Sequence, residues 1–206
     1  MLTPFFAGAQ CELLPKFEHG LVWSKLLDLN TNEPNVNFFV GVPTIFTQLV
    51  NSTCIQNELY SRVLVRSNLK KKMRVIASGS APLIVKTFND WYELTHFSII
   101  ERYGMTEIGM ALTNPYLETD TFKKEAGLVG RPVGSIACRL VRENKVVIES
   151  RESKDVIDEN ENDLFGELQI KGPNVISEYL NKPEQTRESF TSDGWFKTGS
   201  KFLLFV

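Results

Sequence analysis

Between residue 19 and about residue 96, segments with helical periodicity alternate with short runs of strand formers. Residues 36–42 (VNFFVGV) form one such run, which Pro43 ends while opening a segment with apolar residues on one helical face. Residues 74–77 (RVIA) form a second run, followed by small residues and then by another helical pattern. This succession of strand, loop and helix predicts an α/β fold with a parallel sheet.

The pattern changes after about residue 118, where short strands are separated by charged turns. Residues 166–171 (GELQIK) alternate as a half-buried strand does, and the run 150–163 is almost wholly polar or charged, which predicts a solvated loop. The chain therefore divides into an α/β part, a mostly-β part and an apolar tail, at residues 1–118, 119–199 and 200–206.

The composition bounds the partners that the chain can have. Its 206 residues are 42% hydrophobic and 23% charged, as in ordinary globular proteins. A net charge of −2 gives no field that would attract nucleic acid, and no apolar stretch approaches the roughly 20 residues of a membrane-spanning helix. We expect small-molecule substrates, no nucleic acid and no transmembrane segment, and the sequence leaves the oligomeric state open.

Two stretches follow predicted strands, where open α/β sheets bind their ligands. The first is residues 78–81 (SGSA), whose small side chains let the backbone approach a flat ligand closely. The second is residues 101–107 (ERYGMTE), which follow an apolar run that we interpret as the end of a buried strand. Residues 101–107 neither alternate nor repeat at helical spacing, so we interpret them as a loop with a chemical role.

The residue types of this second stretch suit a nucleotide and an acid. Tyr103 supplies a ring that can stack on a base, and Thr106 supplies a hydroxyl for a phosphate oxygen. Glu107 is a hard oxygen ligand suited to Mg²⁺, and Arg102 can grip a carboxylate with two parallel hydrogen bonds. By residue type alone an alternative stays open, in which Tyr103 and Met105 belong to the core and the charged residues form a surface ion pair and a solvated acid.

Several separate motifs, in order along the chain, resemble those of the AMP-forming acyl-CoA synthetases of the adenylate-forming superfamily. The resemblance covers nearly all of residues 1–199, and the ordered set is more specific than any single motif. Glu101 and Arg102 before the tyrosine resemble the malonyl-CoA and methylmalonyl-CoA synthetases, which include a mitochondrial enzyme. The matching stretches are 42–44 (VPT), 77–82 (ASGSAP), 103–107 (YGMTE), 127–133 (GLVGRPV) and, within 166–199, GE, KGPNV, KPE and DGWFKTG.

The resemblance implies a fold and a reaction. The fold is part of the large N-terminal domain of the adenylate-forming enzymes, an α/β portion with a parallel sheet followed by a small β-barrel-like portion. The reaction has two steps, in which a carboxylate and ATP give an acyl-AMP, and coenzyme A then displaces AMP. ATP, Mg²⁺ and coenzyme A are the implied substrates and cofactors. The implied location is mitochondrial, and otherwise cytoplasmic.

The resemblance also implies roles for particular residues. Thr106 and Glu107 are the implied catalytic residues, with Glu107 as the metal ligand. Nucleotide binding is implied for Ser78, Gly79, Ser80, Ala81, Tyr103, Gly104, Met105 and Thr106. The acyl pocket is implied at Val42 and Pro43, with Arg102 holding the far carboxylate of a diacid. An alternative stays open for Arg102, which could instead pair with Glu101 or another acid and only brace the loop.

The chain departs from the family pattern in ways that bear on activity. Ser200 stands where the family has an aspartate that binds both ribose hydroxyls, and we expect this to weaken nucleotide binding by about 1–3 kcal/mol. The family's phosphate loop and lysine-bearing domain fall outside residues 1–206, so we expect a fragment that is inactive in isolation. The alternatives are a non-catalytic remnant, a binding or regulatory fragment, or a synthetase for a different acyl chain.

Overall fold

The structure is a computed structural model, and it describes residues 3–29, 36–56, 60–116, 124–151, 154–157 and 165–203. The helices in these ranges are α1 (Thr3–Phe6), α2 (His19–Leu26), α3 (Pro43–Val50), α4 (Thr53–Gln56), α5 (Arg62–Lys72), α6 (Val85–Thr95) and α7 (Pro183–Ser189). The strands are β1 (Phe38–Gly41), β2 (Val75–Ser78), β3 (Ile100–Met105), β4 (Gly109–Thr113), β5 (Arg131–Pro132), β6 (Ala137–Arg142), β7 (Lys145–Arg151), β8 (Lys154–Ile157), β9 (Phe165–Lys171) and β10 (Phe196–Leu203).

The first sheet has the strand order β1-β2-β3-β4-β5. β1, β2 and β3 are parallel, with Gly41 opposite Ser78 and Ser78 opposite Glu101 at their carboxyl ends. Helices α3, α4 and α5 connect β1 to β2, and α6 connects β2 to β3. The prediction of an α/β fold with parallel strands is confirmed, and the three parallel strands bring their carboxyl ends to one edge of the sheet.

The helices bury an aromatic core against one face of this sheet. The Trp23 and Trp91 rings stack with their centroids 5.5 Å apart, and Phe46 meets Trp91 edge-on at 5.3 Å. Both buried indole N–H groups have acceptors, since Trp23 donates to the Leu49 carbonyl and Trp91 to the Phe97 carbonyl. A core of this kind stabilises the sheet by apolar burial without leaving either indole N–H unpaired.

The interpretation of residues 101–107 as a loop is wrong for residues 101–105, which belong to β3. After Glu101 the strand leaves β2 and pairs with β4, with Arg102 opposite Thr113 and a register shift at Gly104. A Cβ on Gly104 would lie 2.2 Å from the Gly109 carbonyl oxygen, so this hairpin requires glycine there. The error has a physical cause, because an alternating sequence pattern requires one buried and one exposed face, and after Ile100 and Glu101 every residue of this strand is partly buried.

The second sheet is antiparallel, with the order β10-β9-β6-β7-β8. Among the described residues it is an open sheet rather than a closed barrel, because its two edge strands, β10 and β8, are not paired with each other. Four residues of the charged run 150–163 form β8, which corrects the prediction of a loop there, and most of the rest of that run lies outside the described residues. The hydrophobic core of the second sheet includes Ile136, Leu140, Leu168 and Ile170.

Strand pairing and core packing both cross the boundary predicted at residue 118. β5 pairs with β4 of the first sheet, while Ile108, Ala111 and Leu112 pack into the core cluster of the second sheet. β10 extends into the predicted tail as far as Leu203, with Phe202 opposite Gly166, and residues 204–206 lie outside the described ranges. The division at 118 and 199 stays a prediction. No helix within the described ranges is long and apolar enough to cross a membrane.

Candidate active site

A cavity of about 560 Å³ opens where β1, β2 and β3 end. Three segments of the first sheet enclose it: the end of β1 with the start of α3, the loop after β2, and the β3–β4 hairpin. Apolar side chains make most of its wall, and Arg102 supplies the charge. The lining residues are Val40, Gly41, Val42, Ile45, Ser78, Gly79, Ser80, Arg102, Gly104, Met105, Thr106, Gly109 and Met110.

The loop after β2 reaches the cavity with Ser78, Gly79 and Ser80. Ser78 is 1% exposed, and its hydroxyl oxygen has no hydrogen-bond partner among the described residues. Ser80 has a φ of 71°, a left-handed conformation that a serine adopts at some energetic cost. Ala81, also predicted for this site, is exposed and lies outside the cavity wall. The loop therefore presents a buried hydroxyl and a strained backbone to the cavity.

Arg102 carries its charge on an otherwise apolar wall. It is half-buried, burial lowers the pKa of its guanidinium, and its Nε has no hydrogen-bond partner among the described residues. The guanidinium carbon Cζ lies over the Phe38 ring, 5.8 Å from the ring centroid. Val40 and Val42 line the same cavity, while Pro43, also predicted for the acyl pocket, is buried as the first residue of α3 and does not line it.

Glu101 has a structural role beside the cavity that sequence reasoning did not predict, since it named this residue only as part of a family motif and as a possible partner of Arg102. It is 3% exposed, and its carboxylate accepts hydrogen bonds from the Leu83 N–H at 3.2 Å and the Gly127 N–H at 2.6 Å. Burial raises the pKa of this carboxyl, and the two hydrogen bonds partly oppose the shift. Consecutive strand residues point to opposite faces, so Glu101 braces two loops while Arg102 faces the cavity. The alternative in which Arg102 pairs with Glu101 is wrong.

Tyr103 lies outside the cavity wall, against the second sheet. Its hydroxyl donates to the Ser200 hydroxyl oxygen at 2.9 Å, and its ring meets Phe202 edge-on with the centroids 4.9 Å apart. Met105, its neighbour in β3, does line the cavity. The structure thus places the two positions expected to contact a nucleoside, Tyr103 and Ser200, in direct contact with each other.

Thr106 and Glu107 form the turn of the β3–β4 hairpin. Thr106 is exposed and lines the cavity, whereas the Glu107 carboxylate lies outside the wall and accepts a hydrogen bond from the Tyr179 hydroxyl at 2.9 Å. The Ile176 N–H donates to the Glu107 carbonyl at 2.8 Å, and Asn174 donates to the Ile108 carbonyl. The segment after β9 therefore holds this turn in place.

The oxygen donors of the turn suit a hard cation. One Glu107 oxygen is held by Tyr179, which leaves the second oxygen for an ion, and Thr106 is the next residue of the same turn. Within the described ranges no group of three or more acidic, histidine or cysteine side chains comes together. Mg²⁺ characteristically takes one or two carboxylates and completes its coordination with phosphate oxygens and water, so this donor set fits Mg²⁺ that arrives with a nucleotide.

A two-sheet unit of this topology, with its cavity at the carboxyl ends of the parallel strands, is the architecture of the N-terminal domain of adenylate-forming enzymes. A solved malonyl-CoA ligase with methylmalonyl-CoA and AMP bound shares it, with a TM-score of 0.75 and 29% sequence identity over 97% of this chain and 37% of that chain. The chain belongs to the AMP-binding enzyme family, whose model matches residues 1–180.

The curated relatives with similar sequences belong to a narrower class of enzyme than the family as a whole. The chain is 38% identical to a mitochondrial malonate–CoA ligase of Bos taurus and 37% identical to the corresponding enzyme of Homo sapiens, in both cases over 97% of this chain. It covers 34% and 35% of those two proteins, so it spans about a third of the length of the curated relatives that it matches.

Proposed function

We propose that this chain supplies the acyl-binding and nucleotide-binding part of an acid–thiol ligase. The ligase activates malonate or methylmalonate with ATP as an acyl-AMP and transfers the acyl group to coenzyme A. Membership of the AMP-binding enzyme family and the similarity to malonate–CoA ligases support this proposal. Both relatives are mitochondrial by name, and the same location is proposed here.

The half-buried Arg102 on the apolar cavity wall is the observation that carries the choice of a diacid. A monoacid leaves only its alkyl chain in such a pocket, whereas malonate brings a second carboxylate that is very costly to bury unpaired. A guanidinium with no acidic partner among the described residues offers that carboxylate two parallel, charge-assisted hydrogen bonds. Arg102 therefore favours the diacid over a monoacid, which has no second carboxylate for the guanidinium to bind.

The nucleotide is assigned to the loop after β2 and to the β3–β4 hairpin. Ser78, Gly79, Ser80 and Gly104 bring backbone and one buried hydroxyl to the cavity, as close approach by a nucleotide requires. Tyr103 is proposed as the ring beside the adenine and Ser200 as the group at the ribose. Both lie outside the wall of the cavity, so the nucleoside is proposed to extend beyond it, and the 2.9 Å hydrogen bond between the two residues supports a common site for them.

In the first step a carboxylate oxygen of the acid attacks the α-phosphorus of ATP, and pyrophosphate leaves. In the second step the coenzyme A sulfur attacks the acyl carbon and AMP leaves. Arg102 holds the far carboxylate and so fixes the position of the reacting one. Thr106 donates its hydroxyl hydrogen to a phosphate oxygen. Glu107 and Thr106 would hold Mg²⁺, which would supply neutralisation of the charge on the phosphates.

The test is Arg102→Ala in the protein expressed from its full coding sequence, with steady-state kinetics for malonate and for acetate. Loss of a charge-assisted pair of hydrogen bonds should raise KM for malonate about 10- to 100-fold, from roughly 1.5–3 kcal/mol, and change KM for acetate about twofold or less. Equal changes for the two acids would remove Arg102 from substrate binding. If the wild type shows no turnover of malonate and no binding of malonate by calorimetry, this result would favour a non-catalytic protein.

A further inference from the structure

The guanidinium of Arg102 must be held in one plane if it is to grip a carboxylate through two parallel hydrogen bonds. Arginine has a long side chain with high rotamer entropy, so an unsupported guanidinium samples many orientations. Neighbouring acids commonly fix an arginine, but here Glu101 is committed to two backbone N–H groups and Arg102 Nε has no partner among the described residues. Another contact has to orient the Arg102 side chain.

The described contact to its head group is the Phe38 ring on β1. Cζ lies over this ring at 5.8 Å from the centroid, within the range of about 6 Å in which a cation is attracted to an aromatic face. Phe38 and Val40 alternate along β1 with Val42 beyond its end, so the three share one face of the strand, and Arg102 reaches this face from β3. Phe38 is 45% exposed, although a phenylalanine is ordinarily buried.

An aromatic ring is suited to orient a guanidinium that binds a substrate. The ring attracts the flat face of the cation and leaves the in-plane N–H donors unused. An acidic partner would occupy those donors and compete with the substrate carboxylate. Phe38 does not line the cavity, so any effect on the substrate passes through Arg102.

We propose that Phe38 is a positioning residue that holds the Arg102 guanidinium face-on, so that its free edge binds the far carboxylate of a diacid. The ring thereby contributes to the preference for a short diacid over a monoacid without touching either. This inference rests on the proposed function, because it deepens the substrate role given there to Arg102.

The experiment compares Phe38→Leu, Phe38→Tyr, Arg102→Ala and the double variant Phe38→Leu/Arg102→Ala with wild type, in the protein expressed from its full coding sequence. Loss of the ring in Phe38→Leu should raise KM for malonate about 3- to 10-fold, as expected for a partly exposed cation–π contact, with kcat and KM for acetate within about twofold. Phe38→Tyr keeps the ring and should restore the wild-type KM. Tyr92→Leu removes a comparably exposed ring from α6, 49% exposed, and serves as the matched control.

The double variant separates positioning from general structure. Adding Phe38→Leu to Arg102→Ala should change KM for malonate no further, because the group that Phe38 positions is already absent. Equal effects of Phe38→Leu on malonate and acetate, or an undiminished effect in the Arg102→Ala background, would overturn the inference and leave the role of Arg102 intact. Equal effects of Arg102→Ala on the two acids would instead overturn the proposed function, and this inference with it.

Discussion

Glu101 and Arg102 are neighbours in the chain with opposite roles, because a strand turns consecutive side chains to opposite faces. The glutamate is buried and holds the loops at Leu83 and Gly127 through two hydrogen bonds. The arginine faces the cavity with its Nε unpaired among the described residues. A carboxylate that braces loops from the reverse face leaves the guanidinium available to a substrate.

Glu101→Gln should destabilise the fold, because the amide nitrogen that replaces one oxygen cannot accept from a backbone N–H. Leaving one buried N–H unpaired should lower the free energy of unfolding by about 1–3 kcal/mol. Urea unfolding at neutral pH measures this loss. Glu178→Gln is the control, since Glu178 is exposed, and a loss of similar size there would contradict the structural role of Glu101.

The same variant tests the pH dependence. Burial raises the pKa of Glu101 above its ordinary value of 4.5, so the folded state binds this proton more tightly than the unfolded state does. The contribution of this proton to stability is therefore fully present below pH 4.5 and is lost as the pH rises through the raised folded pKa. The difference in the free energy of unfolding between wild type and Glu101→Gln should therefore shrink as the pH rises from 4.5 through the folded pKa. An advantage that does not change with pH would contradict the raised pKa.

At the scale of elements, the short β4–β5 pairing depends on a backbone that approaches too closely for a side chain. Gly130 precedes β5, and a Cβ there would lie 2.1 Å from the Thr113 carbonyl oxygen of β4. Gly127, three residues earlier, has a nearly equal φ, 86° against 84°, but open space where a Cβ would be. The two glycines therefore separate the effect of backbone conformation from the effect of steric contact.

Gly127→Ala should cost about 1–2 kcal/mol of stability, the usual cost of a left-handed conformation in a non-glycine residue. Gly130→Ala should cost more than about 3 kcal/mol, because the clash with β4 adds to the same backbone strain. Thermal unfolding of the two variants measures the difference. Equal losses would mean that β4 and β5 do not approach as closely as the structure shows.

At the scale of the whole molecule, contacts between the two sheets run through the candidate site. Tyr103 of β3 meets Ser200 and Phe202 of β10, and Glu107 is held by Tyr179. Glu101 accepts from Gly127, and residues of the β3–β4 hairpin pack into the core of the second sheet. Because these contacts cross the boundary predicted at residue 118, we expect the two parts to unfold together.

Tryptophan fluorescence can test this expectation, because the three tryptophans are divided between the parts. Trp23 and Trp91 lie in the first core, and Trp195 lies against the second sheet beneath Arg139, whose Cζ is 4.5 Å from the ring centroid. In Trp195→Phe the fluorescence reports on the first core alone, whereas far-ultraviolet circular dichroism reports on both sheets. The two unfolding curves should coincide. Separate transitions would support two independently folding units.

The sequence by itself determined the local elements and the chemistry available to them. Strand runs, helical periodicity and Pro43 predicted β1, α3, β2 and α6, because these features depend on neighbouring residues. The same local reading found the small-residue loop at Ser78 and the cation at Arg102. The charge and length of the chain bounded its partners.

Only the tertiary structure decided which of these residues meet. Residues 101–105 form a strand because β4 pairs with them, and Glu101 is buried because loops at Leu83 and Gly127 close over it. The hydrogen bond between Tyr103 and Ser200 joins residues 97 positions apart. Such contacts depend on how the whole chain folds back on itself. A sequence pattern with a period of two or about 3.6 residues reports only which neighbouring residues share a face, so it cannot predict these contacts.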